Sequence, residues 1–227
     1  MTAAARTSTP RAAAGWVTPQ QTRSRVSQAK IFDAVEEILA RKEFDDIAIT
    51  EIAERAGVSV GNFYTRFRSK DALLGALHER YEIDRTRRLT SAFGEASESP
   101  RLAIRIHLAI SAIVALFRKR KGVLRSFIMR HWRKPKEMSR ITGERHESLF
   151  SQLHALLLGA KGEIKHPKPE LAVEVGVSAA LAVCREAIVL RPQSLPGSLA
   201  VSDEVLSLEL SRMLHAYLTA KPPAALA

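Results

Sequence analysis

Residues 49–73, ITEIAERAGVSVGNFYTRFRSKDAL, set two short helical patterns on either side of one glycine, a spacing that leaves little freedom in how the segment folds. In the first pattern Ile49, Ile52, Ala53 and Ala56 recur at helical intervals, and the small Ala53 lets a second helix cross closely. Gly57 supplies the left-handed conformation that ends a helix without a Cβ clash. Ser59 is placed to accept hydrogen bonds from free amides at the start of the next helix, whose buried side is expected to be Val58, Phe63 and Phe67. Val60, Gly61, Asn62, Tyr64 and Thr65 are left facing outward.

That outward set suits a helix entering the major groove of DNA. Gly61 allows close backbone approach, Asn62 can pair in two-point fashion with adenine, and Val60 and the Thr65 methyl can touch thymine methyls. Tyr64 carries a hydroxyl on a rigid ring, and Ser69-Lys70-Asp71 opens the next helix with an ammonium beside free amides. Both suit phosphates, which position a protein on DNA without reading its sequence. The plainer alternative is a helical hairpin with a solvated face.

Residues 25–82 resemble the DNA-binding domain of the TetR (tetracycline repressor) family. The resemblance lies in an amphipathic first helix (Ile31, Ala34, Val35, Ile38, Leu39), Phe44, IAERAGVS at 52–59, GNFYTRF at 61–67 and SKDAL at 69–73. It covers about a quarter of the chain and is specific as a block. By position, it implies base or groove contacts from Thr50, Val60, Gly61 and Asn62, and phosphate contacts from Ser59, Tyr64, Arg66 and Lys70. Two places depart from the pattern. Glu43 stands where members often have glycine, and Ala48 where a Thr or Ser often caps the second helix, so Asp46 or Thr50 is expected to cap it in a shifted frame.

The formal net charge of +11 is unevenly spread. Residues 1–24 hold three Arg and no acid, residues 25–90 twelve basic and twelve acidic residues, residues 91–137 eleven basic and three acidic, and residues 138–227 nine of each. The region that resembles the reader is therefore neutral, and DNA binding must rest on local placement. Acids gather in its first two helices, whereas Arg66, Arg68 and Lys70 follow the reading helix. Residues 1–24, rich in Ala, Thr, Pro and Arg, read as a disordered basic arm. Arg23 and Arg25, just ahead of the first helix, are expected to enter the adjacent minor groove, with a solvated leader as the alternative.

From Lys70 onward the periodicity predicts helices over about 70–93, 100–120, 122–132, 137–159, 169–190 and 203–219, punctuated by prolines and without strand alternation. The expected fold is all-α: a helix-turn-helix domain at 25–72, a larger helical sensor and dimerisation domain at 73–220, and a tail at 221–227. Small residues at Ala172, Gly176, Ala179, Ala180 and Ala187 would permit close helix approach, and the last helix is rich in Leu. The resemblance implies a homodimer through 169–190 and 203–219; packing within one subunit is the alternative. A dimer has a physical warrant too, since two reading helices about 34 Å apart engage the half-sites of a palindrome.

Phe127, His131, Trp132, Phe150 and His154 are the candidate lining of an effector pocket, suited to a mostly apolar or acyl-type ligand with a polar anchor. Each taken singly reads more readily as core. His146, Phe150 and His154 share a helical stripe, but the two His lie two turns apart, so no metal site is expected. No phosphate-binding glycine loop, GxSxG turn or Cys/His cluster is present, and Cys184 has no evident His partner, so neither enzyme nor cofactor is expected. The single cysteine and apolar runs shorter than the roughly 20 residues of a bilayer span point to a cytoplasmic protein acting at the nucleoid, with no membrane partner. The basic run from Arg118 to Lys136 fits a solvated face, a track for DNA phosphates, or a hold on a phosphorylated ligand.

These features describe a regulator, most often a repressor in the resembled family, that binds an operator and is released by a small molecule. The helix carrying Leu73, Leu74, Leu77 and Tyr81 is its expected transmitter. A DNA-organising dimer without an inducer is the alternative.

Overall fold

The computed structural model describes residues 22–136, 138, 146–190 and 201–221. They are helical, with no β-strand among them, and the chain divides into two compact units, Met1–Arg80 and Tyr81–Ala227. The helices are α1 (Thr22–Leu39), α2 (Ile49–Ala56), α3 (Val60–Arg66), α4 (Lys70–Ser97), α5 (Leu102–Lys119), α6 (Lys121–Arg133), α7 (His146–Leu158), α8 (Pro169–Cys184) and α9 (Asp203–Thr219). A π-helical segment, Arg185–Leu190, continues α8.

In the first unit α1 buries Ile31, Val35, Ile38 and Leu39 at the intervals the sequence predicts, and Phe44, Ile52, Phe63, Phe67 and Leu73 complete the core. The three rings Phe32, Phe67 and Phe63 form a chain with centroids 5.7 and 5.6 Å apart. α1 begins at Thr22, so Arg23 and Arg25 stand on the helix and not on an arm ahead of it. Residues 1–21 of the expected arm lie outside the described residues.

The second unit is built on α5, whose Leu102, Ile106, Ile110, Ile113 and Val114 are buried in a large apolar cluster. α9 packs along α5 and α8, and α7 packs against both α5 and α8. The small residues of α8 are explained by this packing. Ala172, Gly176 and Ala180 are buried, and a Cβ at Gly176 would lie 2.4 Å from Leu214 Cδ1 and 3.3 Å from the Tyr217 ring. Gly176 thus serves the subunit's own α8–α9 contact, while Ala179 is exposed.

Polar groups from one element close the ends of others. Arg105 on α5 donates to Ser97 O at the end of α4, to Ser99 O just beyond it and, at 2.8 Å, to Leu156 O in the last turn of α7. Glu163 accepts the Leu102 N–H at 2.8 Å, capping α5, whose own N-cap Arg101 makes no side-chain cap.

Candidate nucleic-acid interface

α2 ends because Gly57 takes φ 63° and ψ 39°. Its N–H bonds Glu54 O at 3.0 Å and the Val58 N–H bonds Ala53 O at 2.9 Å, the paired bonds of a Schellman ending. No atom lies within 4 Å of where a Cβ would sit, so the backbone angle and not space requires glycine here. The start of α2 departs from expectation: its N-cap is Ala48, with no side-chain cap, so neither Asp46 nor Thr50 supplies one. Thr50 is exposed on the first turn.

Ser59 caps α3 as expected, its Oγ accepting the Asn62 N–H at 3.1 Å. Phe63 and Phe67 are wholly buried, while Val58 is only half-buried. Turned the other way are Val60, Gly61, Tyr64 and Thr65, all exposed. The Tyr64 ring is half open to solvent and stands edge-on to Phe63 at 5.5 Å, which fixes its direction. Thr65 donates its hydroxyl to Gly61 O at 2.9 Å, leaving the methyl as its free group.

Asn62 differs from the outward residue that its spacing predicts. It is half-buried, with Oδ1 covered and without a hydrogen-bond partner. Two-point pairing with adenine requires a side-chain rotation that brings Oδ1 out, and that rotation would also relieve the unsatisfied oxygen.

Gly61 has the opposite character from Gly57. Its φ is not positive, and the nearest atom to a built Cβ is Ser59 Oγ at 3.9 Å. A side chain would fit, and glycine inside a helix costs about 1 kcal/mol relative to alanine. Nothing within the folded unit calls for the missing Cβ.

Flanking cations are partly anchored. Lys70 donates to Asp45 O at 2.8 Å and lies 5.0 Å from the Phe44 ring centroid, at the start of a helix capped by Ser69. Arg66 is half-buried with its Nε covered, and Arg25 is exposed on α1. Acids of the first helices are neutralised locally: Arg80 pairs with Asp33 at 2.9 Å, Arg55 with Glu37 at 2.6 Å and Lys42 with Glu51 at 2.8 Å.

Residues 31–77 match the family model of bacterial regulatory proteins of the tetR family. That segment is a tetR-family regulatory domain. An uncharacterized HTH-type transcriptional regulator of Bacillus subtilis (strain 168), YvdT, is 38% identical over 61 residues, which cover 27% of this chain and 30% of that protein. The chain therefore matches less than a third of that relative's length. Solved structures extend the likeness in fold. A TetR-family regulator from Mesorhizobium loti superposes with a TM-score of 0.68 at 21% identity, covering 87% of this chain and 98% of that one. The fatty acid degradation regulator FadR of Bacillus halodurans gives 0.65 at 15% identity, covering 87% and 97%.

In the second unit, the residues singled out for an effector pocket fall apart into two groups. Phe127 is buried against Tyr81 with ring centroids 5.8 Å apart, and Phe150 packs on the apolar core. His154 is half-buried, with Nε2 3.3 Å from Glu170 O. His131 and Trp132 instead face solvent, Trp132 with 61% of its surface exposed. The His146 side chain lies outside the described residues. Among the described residues no group of His, Cys, Asp and Glu could hold a metal, and no helix is long and apolar enough to cross a membrane.

Sequence reasoning missed a buried ionic cluster on α4. Glu82 and Arg85 are buried and pair with each other. Asp84 accepts from Arg87 and Arg88 through Oδ1 and from Arg120 through Oδ2, each at 2.9 Å. Burial opposes ionisation of Asp84, but these guanidinium bonds outweigh it and hold the carboxyl down at about 2. Burial raises the Tyr81 hydroxyl well above its usual range. The i, i+3 and i, i+4 spacing of Asp84 with Arg87 and Arg88 was legible; the reach of Arg120 across 36 residues was not.

Proposed function

We propose that this TetR-family chain is a transcriptional repressor that reads a palindromic operator as a homodimer and is released by a small-molecule effector. The observation that carries the reading is Gly61: a glycine kept in a helix at a cost in stability, with no internal need, at the centre of an exposed face. It lets the α3 backbone approach the base edges, with Val60, Thr65 and a rotated Asn62 touching bases and Thr50 beside them. Tyr64, Ser59, Arg66, Lys70 and Arg25 hold phosphates.

Exposed apolar side chains on the last helices support the dimer. Leu171 and Val175 on α8, and Val205, Leu208, Met213 and Tyr217 on α9, each leave 39–48% of their surface open. Such a patch on helices otherwise packed in a core fits a matching copy. The effector is a mostly apolar or acyl-type molecule held in the second unit. Phe127 and Phe150 supply apolar walls, and the FadR neighbour is by name a regulator of fatty acid degradation. Effector binding favours a state of α4 that separates the reading heads from the operator spacing.

Selection of bound duplexes from a random pool, with Tyr64→Ala and Asn62→Ala proteins alongside the parent, tests the reading. An enriched palindrome, lost or relaxed in the variants, is the expected result. Salt-sensitive binding with no enriched motif would replace the operator reader with a DNA-organising dimer. A panel of acyl compounds tests the sensor: at least one should raise the melting temperature and release the palindrome.

A further inference from the structure

Two covered polar atoms on α3 are unsatisfied and complementary. Asn62 Oδ1 is an acceptor, the Arg66 Nε–H is a donor, and neither has a hydrogen-bond partner among the described residues. Both side chains are half-buried, and each directly precedes a wholly buried ring, Phe63 or Phe67. They share the flank where the buried side of the helix meets the exposed one. Residues four apart on a helix are neighbours on its surface, with Cβ atoms about 5–6 Å apart. Each covered atom carries the penalty of a polar group taken out of water without a replacement bond.

This juxtaposition bears on what Asn62 can read. An amide held at neither end can turn over, and then offers a base a donor where its acceptor had been. Adenine requires one orientation, with Oδ1 accepting from N6–H and Nδ2 donating to N7. A further donor beside Oδ1 selects that orientation, because the reversed amide would set N–H against N–H. Arg66 is placed by its spacing to supply that donor. Only Nε of its guanidinium is among the covered, unmet atoms, so the terminal nitrogens are left for the phosphate.

We propose that Arg66 is a positioning residue for Asn62: on the operator its Nε–H donates to Oδ1 of the rotated amide, whose other lone pair accepts adenine N6–H while Nδ2 donates to N7. It rests on the reading of α3 as the operator-reading helix, and adds the base that Asn62 selects and the residue that fixes the choice. Arg66 thereby acts on specificity through Nε and on affinity through its terminal nitrogens. Lysine separates the two roles, since it keeps the charge for a phosphate but carries no donor partway along its stem.

The test uses the full chain and duplex selection from a random pool. The parent should enrich adenine at a position that Asn62→Ala relaxes. Arg66→Lys, its fold checked by its melting curve, should relax that same position and leave the rest of the palindrome and the salt slope as in the parent. A second measurement replaces that adenine with purine, which lacks only the N6 amino group. The replacement should weaken the parent about tenfold and Arg66→Lys less than about twofold. Because this comparison is a ratio within one protein, Arg66→Met serves in it should the lysine variant melt early. Adenine preference kept in Arg66→Lys, or an equal loss on purine in both proteins, would overturn the proposal while leaving the operator reading intact. A flatter salt slope with unchanged preference would also overturn it and leave Arg66 as a phosphate contact alone. A parent that enriches a different base at the Asn62-dependent position defeats it too, whereas one that enriches no motif defeats the operator reading along with it.

Discussion

Gly57 and Gly61 stand one helical turn apart, yet the folded unit needs only the first. Gly57→Ala forces a Cβ into a left-handed residue and should lower stability by about 1–2 kcal/mol. Gly61→Ala should raise stability by up to about 1 kcal/mol, since the site is roomy and helical. The same change should weaken operator affinity at least tenfold, on the order of 1.4 kcal/mol, if the backbone approaches the bases as proposed. Urea denaturation beside a binding titration reads both quantities; a stabilised protein with full affinity would remove Gly61 from the interface.

Asp84 makes a second prediction at this scale. Its folded carboxyl sits near 2, below the ordinary 3.8, so the stability it lends is present above about pH 4 and is lost as pH falls from there through 2. The shift corresponds to roughly 2 kcal/mol. Asp84→Asn should lower stability by about that amount at pH 7, and the gap between variant and parent should close between pH 4 and 2 in denaturant melts. The exposed face of α3 and the glycine that ends α2 were legible because each obeys a local rule. The reach of Arg120 to Asp84 was not, because it joins side chains 36 residues apart.

Among the elements, several described boundaries followed from periodicity and proline punctuation; of the helix expected at 137–159, residues 137 and 139–145 lie outside the described residues and α7 is His146–Leu158. The helix expected at 203–219 is Asp203–Thr219, and that expected at 169–190 is α8 with its π-helical continuation. α4 runs four residues past its expected end at 93, with Phe93 and Ala96 buried in the core and Arg105 bonding carbonyls at and beyond its last turn. Sequence periodicity does not show a cap delivered from another helix. Arg105→Ala should cost roughly 2–3 kcal/mol, because charge-assisted bonds to three carbonyls are lost together. Protection from hydrogen exchange should fall first in the last turns of α4 and α7; uniform loss across the unit would reject a capping role. The small residues of α8 teach a related point. Spacing told that a helix comes close at Gly176, but not whose. Since Leu214 and Tyr217 of the same chain fill that space, Gly176→Val should destabilise the subunit by about 1–3 kcal/mol even in a monomer.

At the scale of the whole molecule, the same two helices therefore present two different surfaces. One, carrying Gly176, Leu210 and Leu214, is used within the subunit; the other, carrying Leu171, Val175, Val205 and Leu208, is apolar and open. The resemblance implies a dimer through these two helices; the small residues pack within the subunit at Gly176, and the open aliphatic side chains are the candidates for the dimer contact. The two surfaces can be separated by experiment. Val175→Glu with Leu208→Glu places charge on the open surface without touching the buried one, so each chain should keep its helical signal and fold cooperatively. Sedimentation should show a dimer for the parent and a monomer for this variant. Operator affinity should collapse, because a single head reads one half-site and loses the linked second contact. The effect on a half-site duplex should be small, since the α3 face is intact. A variant that stays dimeric would move the interface away from α8 and α9, and one that becomes monomeric yet binds the palindrome with parental affinity would show that the heads need no fixed pairing.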